Sequence, residues 1–447
     1  MTTDLYTIAR VCGGTLAPGA NGARRVCGFY TDSRTAEKEK IFLAIKGEHF
    51  DGNSFAGALV QGGHAAIVSE PSAAVRGDVI LVRDVRAALL TLARYYRENV
   101  ISGVKVVGVT GSVGKTTTKE MIALALSATE KVFKTPGNAN SLLGLPISLL
   151  SVPEDADAAV LEMGINQPGE MERLSSAAMP DISVVTNIGH SHIEFFGTRE
   201  AICAEKLRVA SHSAPGSKIL LCTDEPLLAG RESVYGARVV AVSAASPSAY
   251  AYATDVVDTA NGLSFTAHIG GGEYPVSLPA GGRHFLLNTL DALAVCALSG
   301  ADVSAGAKEL CGYRSDGKRQ YIYTSGGHTV ISDCYNASPE SVAAALSVLS
   351  KAGGRRIAVL GDMLELGASA GELHREVGRA VAGNADVLVT YGTLARFIAE
   401  TAAVPEVYSF AQDDRAGLAE FLSSFVMPGD TVLYKASNGM RLSELII

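Results

Sequence analysis

The sequence predicts an α/β protein of three domains: a small N-terminal one, a central parallel-sheet domain and a C-terminal α/β unit. Three observations predict this. The chain has 447 residues, too many for a single hydrophobic core. Apolar strand runs alternate with helical patterns in two separate blocks, which is the signature of parallel sheets covered on both faces. Residues 105–118, Lys-Val-Val-Gly-Val-Thr-Gly-Ser-Val-Gly-Lys-Thr-Thr-Thr, form a strand, a glycine loop and a helix start.

In chain order, short strands with turn signals are expected at Lys40–Ile45, Ala65–Ser69 and Val79–Val82, then a helix from Val85 to Asn99 with Leu89, Leu90, Leu92 and Ala93 on one face. The polar stretch Asn99–Gly103 ends a first domain of residues 1–100. The second, 101–313, has strands at Val104–Thr110, Ala158–Met163 and Ile182–Asn187, and helices near Gly169–Ala178 and Arg199–Ser211. Residues 237–280 read as a β-rich appendage, and a helix over Phe285–Leu298 closes the block. A turn-rich connector, Tyr313-Arg314-Ser315-Asp316-Gly317, opens the third domain, 314–447. Its strands are expected at 329–333, 356–360, 387–390 and 431–434, with helices at 338–349, 370–382 and 394–401.

Composition narrows the function classes. With 47% hydrophobic and 19% charged residues the chain is globular, and a formal charge of −8 argues against a nucleic-acid backbone as partner. No run reaches the length of a membrane span and no signal segment is evident, so a cytoplasmic protein without membrane insertion is expected. Seven scattered cysteines (Cys12, Cys27, Cys203, Cys222, Cys296, Cys311 and Cys334), with no Cys-x-x-Cys, fit reduced thiols and no zinc site.

The strongest chemical signal is the loop at 111–117. Backbone N–H groups of Gly111, Ser112 and Gly114 and of the helix start at Thr116 and Thr117 would face an anion. Lys115 would neutralise phosphate, and the Thr116 hydroxyl could ligate magnesium. The general pattern places its first glycine at position 109, which is valine here; the glycines fall at 108 and 111. Glu162 ends the apolar strand that follows, where an open α/β sheet gathers ligands. It reads as a magnesium ligand or as an edge carboxylate paired with a lysine. His190 and His192 follow a third strand and suit a metal, a phosphate or a structural role. Lys206 alone reads as a solvated helix lysine, and Thr135–Ser141, with Asn138 and Asn140, as a turn-rich loop.

Taken together, these segments resemble the Mur ligase family, ATP-dependent amide ligases that build the peptide of bacterial peptidoglycan. The resemblance rests on Thr110–Thr116, Gly137–Asn140, Glu162-Met163-Gly164, Asn187-Ile188-Gly189 with His192, Asn288 after Gly282-Arg283-His284, Arg319, and Asp333–Pro339, in family order. Gly361-Asp362-Met363-Leu364-Glu365-Leu366-Gly367 and Tyr335–Pro339 narrow it to the branch that adds D-alanyl-D-alanine to the UDP-N-acetylmuramoyl tripeptide. Thr31–Arg34 and Lys46–Asn53 are similar to that branch's uridine-nucleotide domain.

The resemblance implies a Rossmann-like C-terminal domain, ATP and two magnesium ions as cofactors, a monomer, and small-molecule substrates only: the UDP-linked tripeptide and the dipeptide. It implies that Lys115 and Thr116 meet phosphate and magnesium, that Glu162 holds the same magnesium and His192 a second, and that Lys206 is carbamylated at the metal site. It places Asn288 and Asn336 at adenine, Asp333 at the ribose and Arg319 at the γ-phosphate. Ser33, Arg34, Gly47 and Asp51, with Asn138 and Asn140, fall on the substrate side. The sequence departs from the family at Asn140-Ser141, where many members have two asparagines, and at Asn438, where an arginine is common. The rival readings are another Mur ligase or a folylpolyglutamate synthase-like enzyme, and a P-loop regulatory switch.

Overall fold

The computed structural model describes all residues except Glu48, His49, Asn261, Asp316 and Lys318. Glu48 and His49 of the Lys46–Asn53 segment and Asp316 of the connector therefore lie outside the described residues. Among the described residues the strands form three main sheets and one two-stranded ribbon.

The first sheet has five strands in the order 15–16, 79–81, 65–68, 41–43, 29–30, parallel except for the pairing of 15–16 with 79–81. The helix Val85–Asn99 forms where expected, because Asp84 caps it by accepting from the Arg86 and Ala87 N–H groups. Its buried face, Leu89, Leu92, Ala93 and Tyr96, packs on the helices Gly144–Leu149 and Glu170–Ala178 of the next block. Arg97 fixes that contact. Its guanidinium donates to Ile101 O (3.1 Å), Ala178 O (3.3 Å) and the Asp181 carboxylate (2.9 Å), with 7% of its side chain exposed.

The central sheet has ten strands. Its middle is parallel: Lys105–Thr110 lies between Ala158–Glu162 and Ile182–Val185, so three strands end side by side. Beyond Ile182–Val185 the sheet continues through Lys218–Cys222 and Ala237–Val242. Residues 237–280 are not an appendage. Ala251–Thr259 joins the same sheet by a parallel bridge, Val242 opposite Ala251, and Gly262–Ile269 and Gly272–Leu278 extend it antiparallel. Alternate residues Leu263, Phe265, Ala267 and Ile269 face a core shared with Leu286, Leu290 and Leu293 of the helix His284–Ser299, and that apolar face draws the strands onto the sheet.

The third sheet runs 321–325, 328–332, 431–435, 356–361, 387–391, 406–410, parallel except for the first pair. The helix Pro339–Leu349 starts with Pro339 in its first turn and a capping box between Ser338 and Ser341. No described helix is long and apolar enough to cross a membrane.

Replacing Arg97 by methionine removes the guanidinium from Asp181 and from four carbonyls, those of Ile101, Val104, Ala178 and Met179. The expected loss is about 3 kcal/mol, read as a lower midpoint in thermal or urea unfolding; an unchanged midpoint contradicts the role given to Arg97.

Candidate active site

The loop after strand Lys105–Thr110 is braced by the end of its neighbour. The Ser112 N–H donates to Asn187 O (3.1 Å), and the Val113 N–H donates to Asn187 Oδ1 (2.9 Å). Thr186 Oγ1 donates to Val113 O (2.6 Å), and the Gly189 N–H donates to Ser112 Oγ (2.9 Å). Gly111 has φ +147°, and a Cβ there would sit 1.9 Å from Thr186 Oγ1. Only glycine fits. Gly114, at φ +85°, opens the helix Lys115–Leu126. Lys115 folds back over the loop, donating to Gly111 O (2.8 Å) and Ser112 O (3.3 Å). Desolvation, aided by nearby Arg319, holds its ammonium below the usual lysine range.

On the adjacent strand end, Glu162 is buried. Its Oε2 accepts from Thr116 Oγ1 (2.7 Å) and its Oε1 from Asn140 Nδ2 (2.7 Å). Asn140 is thus engaged in positioning Glu162. Lys119, which the sequence reading did not single out, is fully buried 3.8 Å from Glu162 Oε2 and donates to Thr135 O (2.9 Å) and Gly137 O (2.8 Å). It ties the 135–140 loop to the carboxylate. Its signal was its place four residues after Lys115, one turn on along the same helix face. Among the described residues no three His, Cys, Asp or Glu side chains gather as an all-protein metal cage. A hydroxyl with one carboxylate is the sparse oxygen set that magnesium takes alongside water and nucleotide phosphates.

Lys206 is not solvated. It is buried on the helix Arg199–Leu207 and donates to Gly111 O (2.9 Å). Desolvation, with the like charge of Lys115, pushes its pKa well below the usual lysine value, which favours a neutral amine. The two histidines meet acids of the third domain. His190 Nδ1 lies 2.6 Å from Glu340 Oε1, and His192 Nδ1 lies 2.6 Å from Glu365 Oε2.

A cleft of about 610 Å³ joins these elements to the C-terminal domain. Its far wall carries the Arg319 guanidinium, 4.0 Å above the Tyr335 ring, and Asp333, paired at 2.6 Å with Lys435 Nζ. Asn138 reaches across, donating to the Tyr335 hydroxyl at 2.6 Å. Asn288 lines the cleft and accepts from Thr118 Oγ1 (3.1 Å), while Asn336 Oδ1 accepts from the N–H of Ala337 (2.9 Å). His284 also lines it. Desolvation pushes its pKa down to about 4, so the ring is neutral beside Asp333 and Gln320.

Ser33, Arg34, Gly47 and Asp51 do not line this cleft. They lie on the first domain, where the exposed Arg34 forks onto Asp32 and Asp51 accepts from the Asn53 N–H (2.9 Å).

Two family descriptions match the chain, the Mur ligase middle domain over residues 109–296 and the Mur ligase glutamate ligase domain over 319–438. The UDP-N-acetylmuramoyl-tripeptide--D-alanyl-D-alanine ligase of Bacillus subtilis is 37% identical over 98% of this chain and 96% of its own. This chain belongs to the Mur ligase family. Among solved structures, MurF from Acinetobacter baumannii superposes with a TM-score of 0.90 at 29% identity, covering 100% of this chain and 98% of that one. MurF from Thermotoga maritima, solved in complex with ADP, gives 0.83 at 30% identity over 94% and 96%. The family membership and the cleft make the phosphate loop part of an ATP-dependent ligase.

Gly111→Ala drives a Cβ into Thr186 and strains φ, so nucleotide affinity is expected to fall at least about tenfold with the fold retained. Titration calorimetry with ADP checks this; wild-type affinity contradicts the loop geometry.

Proposed function

We propose that this Mur ligase joins D-alanyl-D-alanine to the terminal carboxylate of UDP-N-acetylmuramoyl tripeptide, spending ATP, in the synthesis of a peptidoglycan precursor. The observation that carries the reading is the cleft that sets Lys115, Thr116 and Glu162 of the central domain opposite Arg319 and Asp333 of the C-terminal domain. Full-length similarity to proteins named for that reaction supplies the substrates.

In this reading a carboxylate oxygen of the tripeptide attacks the γ-phosphorus, the bond to ADP breaks, and an acyl phosphate forms. The dipeptide amine then attacks the acyl carbon; the C–N bond forms as the C–O bond to phosphate breaks, with loss of the amine proton. Lys115 and Arg319 meet the charge on the transferred group, which is the main demand of phosphoryl transfer. Asn288 and Asn336 contact adenine, and Asp333 the ribose. The seated C-terminal domain keeps water from the acyl phosphate.

Thr116 and Glu162 hold one magnesium ion, and His192 with a carbamylated Lys206 stands at a second. Bound there, magnesium neutralises phosphate charge. Burial disfavours the charged form of Lys206, and the neutral amine is the form that captures carbon dioxide, which supports the carbamate. Ser33, Arg34, Gly47 and Asp51 bind the uridine diphosphate, and Asn138 and Asn140 act on the substrate side, Asn140 through Glu162. The divisions at 100/101 and 313/314 separate substrate, nucleotide and closing domains. This reading includes a monomeric enzyme in the cytoplasm.

Purified protein with ATP, magnesium and the UDP-linked tripeptide is expected to release phosphate only when D-alanyl-D-alanine is added; release independent of the dipeptide contradicts the assignment. Lys206→Ala is expected to lose most activity while staying folded, and to lose the carbamate carbon signal seen in wild type after labelling with ¹³C-bicarbonate. Near-normal turnover refutes the carbamate.

A further inference from the structure

The segment Gly361–Gly367 stands out in the sequence but has no part in the chemistry above. It is a stiff corner. The Asp362 carboxylate accepts from the N–H groups of Leu394 (3.0 Å) and Ala395 (2.7 Å). His374 Nε2 accepts from the Met363 N–H (3.0 Å), and Ser437 Oγ accepts from the Leu364 N–H (3.0 Å). The corner presents Glu365 at φ +63°, a conformation rare for a side-chain-bearing residue. Facing it across the domain boundary is His192, also left-handed at φ +65°, with Nδ1 2.6 Å from Glu365 Oε2. The Glu194 N–H donates to Glu365 O (3.2 Å) and fixes the approach.

A plain interdomain ion pair would not need two strained residues, and half-exposed pairs contribute little. The second pair, His190 with Glu340, has the same chemistry and spans the same two domains, but His190 does not line the cleft. His192 does, together with Thr116 and Glu162. A carboxylate on one imidazole nitrogen leaves the lone pair on the other, and metal-binding histidines are commonly fixed this way.

We propose that Glu365 is a positioning residue: its carboxylate, 2.6 Å from Nδ1 of His192, holds that edge of the ring and turns Nε2 toward a divalent cation in the cleft. The cation site is then complete only when the C-terminal domain is seated. The inference rests on the reading of His192 as a metal-side residue.

The test titrates the full-length enzyme with Mn²⁺ in the presence of ADP, following free Mn²⁺ by electron paramagnetic resonance, in wild type, His192→Ala, Glu365→Ala, Glu365→Gln and Glu340→Ala. His192→Ala and Glu365→Ala are expected to weaken one Mn²⁺ site about tenfold or more. Glu365→Gln, which keeps an oxygen near Nδ1 but not the charge, should fall between, and Glu340→Ala should stay within about twofold of wild type. Thermal midpoints of all variants should stay close to wild type, since Glu365 is half-exposed. Wild-type Mn²⁺ affinity in Glu365→Ala, with His192→Ala weakened, overturns the positioning role and leaves the metal reading standing. Wild-type affinity in His192→Ala overturns both. An equal loss in Glu340→Ala assigns the effect to domain docking and overturns the proposal.

Discussion

The backbone between Gly111 and Gly114 must turn its N–H groups toward an anion, and it holds that turn because the neighbouring strand end braces it. Thr186 and Asn187 grip Val113 from one side, and Ser112 answers Gly189. The parallel register does the rest. Val109 lies opposite Glu162, and Thr110 opposite Val185, so the loop, the carboxylate and the brace emerge side by side from three adjacent strands. Thr116, the second residue of the helix, then meets Glu162 without any long-range adjustment. Backbone geometry comes first here, and the charged side chains are placed by it.

The two flanking domains attach to this centre differently. The first is held by apolar helix packing around Leu89, Leu92 and Tyr96, with the buried Arg97 at its edge. Around the cleft, the third adds polar contacts: Asn138 with Tyr335, His190 with Glu340, His192 with Glu365, Lys351 with Asp258, and Gln320 with Gly281 O, beside a buried apolar cluster shared by Ile188 and Ile193 with Leu346 and Leu366.

Local features were legible in the sequence because local physics produces them. The β-branched run before Gly111, the apolar face of Val85–Asn99 and the apolar strand ending in Glu162 each follow from neighbours in sequence. Residues 237–280 were read as separate because their pattern is alternating and punctuated by turn glycines; only the shared face with Leu286, Leu290 and Leu293 assigns them to the central sheet. The strands Tyr321–Ser325 and Glu406–Phe410 escaped notice, since both sit at sheet edges with half-exposed residues and little apolar signal. The partners of His190 and His192 were out of reach altogether. Glu340 is 150 residues from His190, and no periodicity reports such a pairing. Lys206 was misread on spacing for the same reason, because its burial comes from the loop of a distant strand.

The central claim is that this cleft activates a carboxylate by phosphorylating it. The direct measurement uses tripeptide substrate labelled with ¹⁸O in its terminal carboxylate and follows the label by mass spectrometry of the released phosphate. The account predicts one ¹⁸O in each phosphate formed in the presence of the dipeptide. Phosphate that carries no label, or takes its oxygen from solvent water, contradicts it.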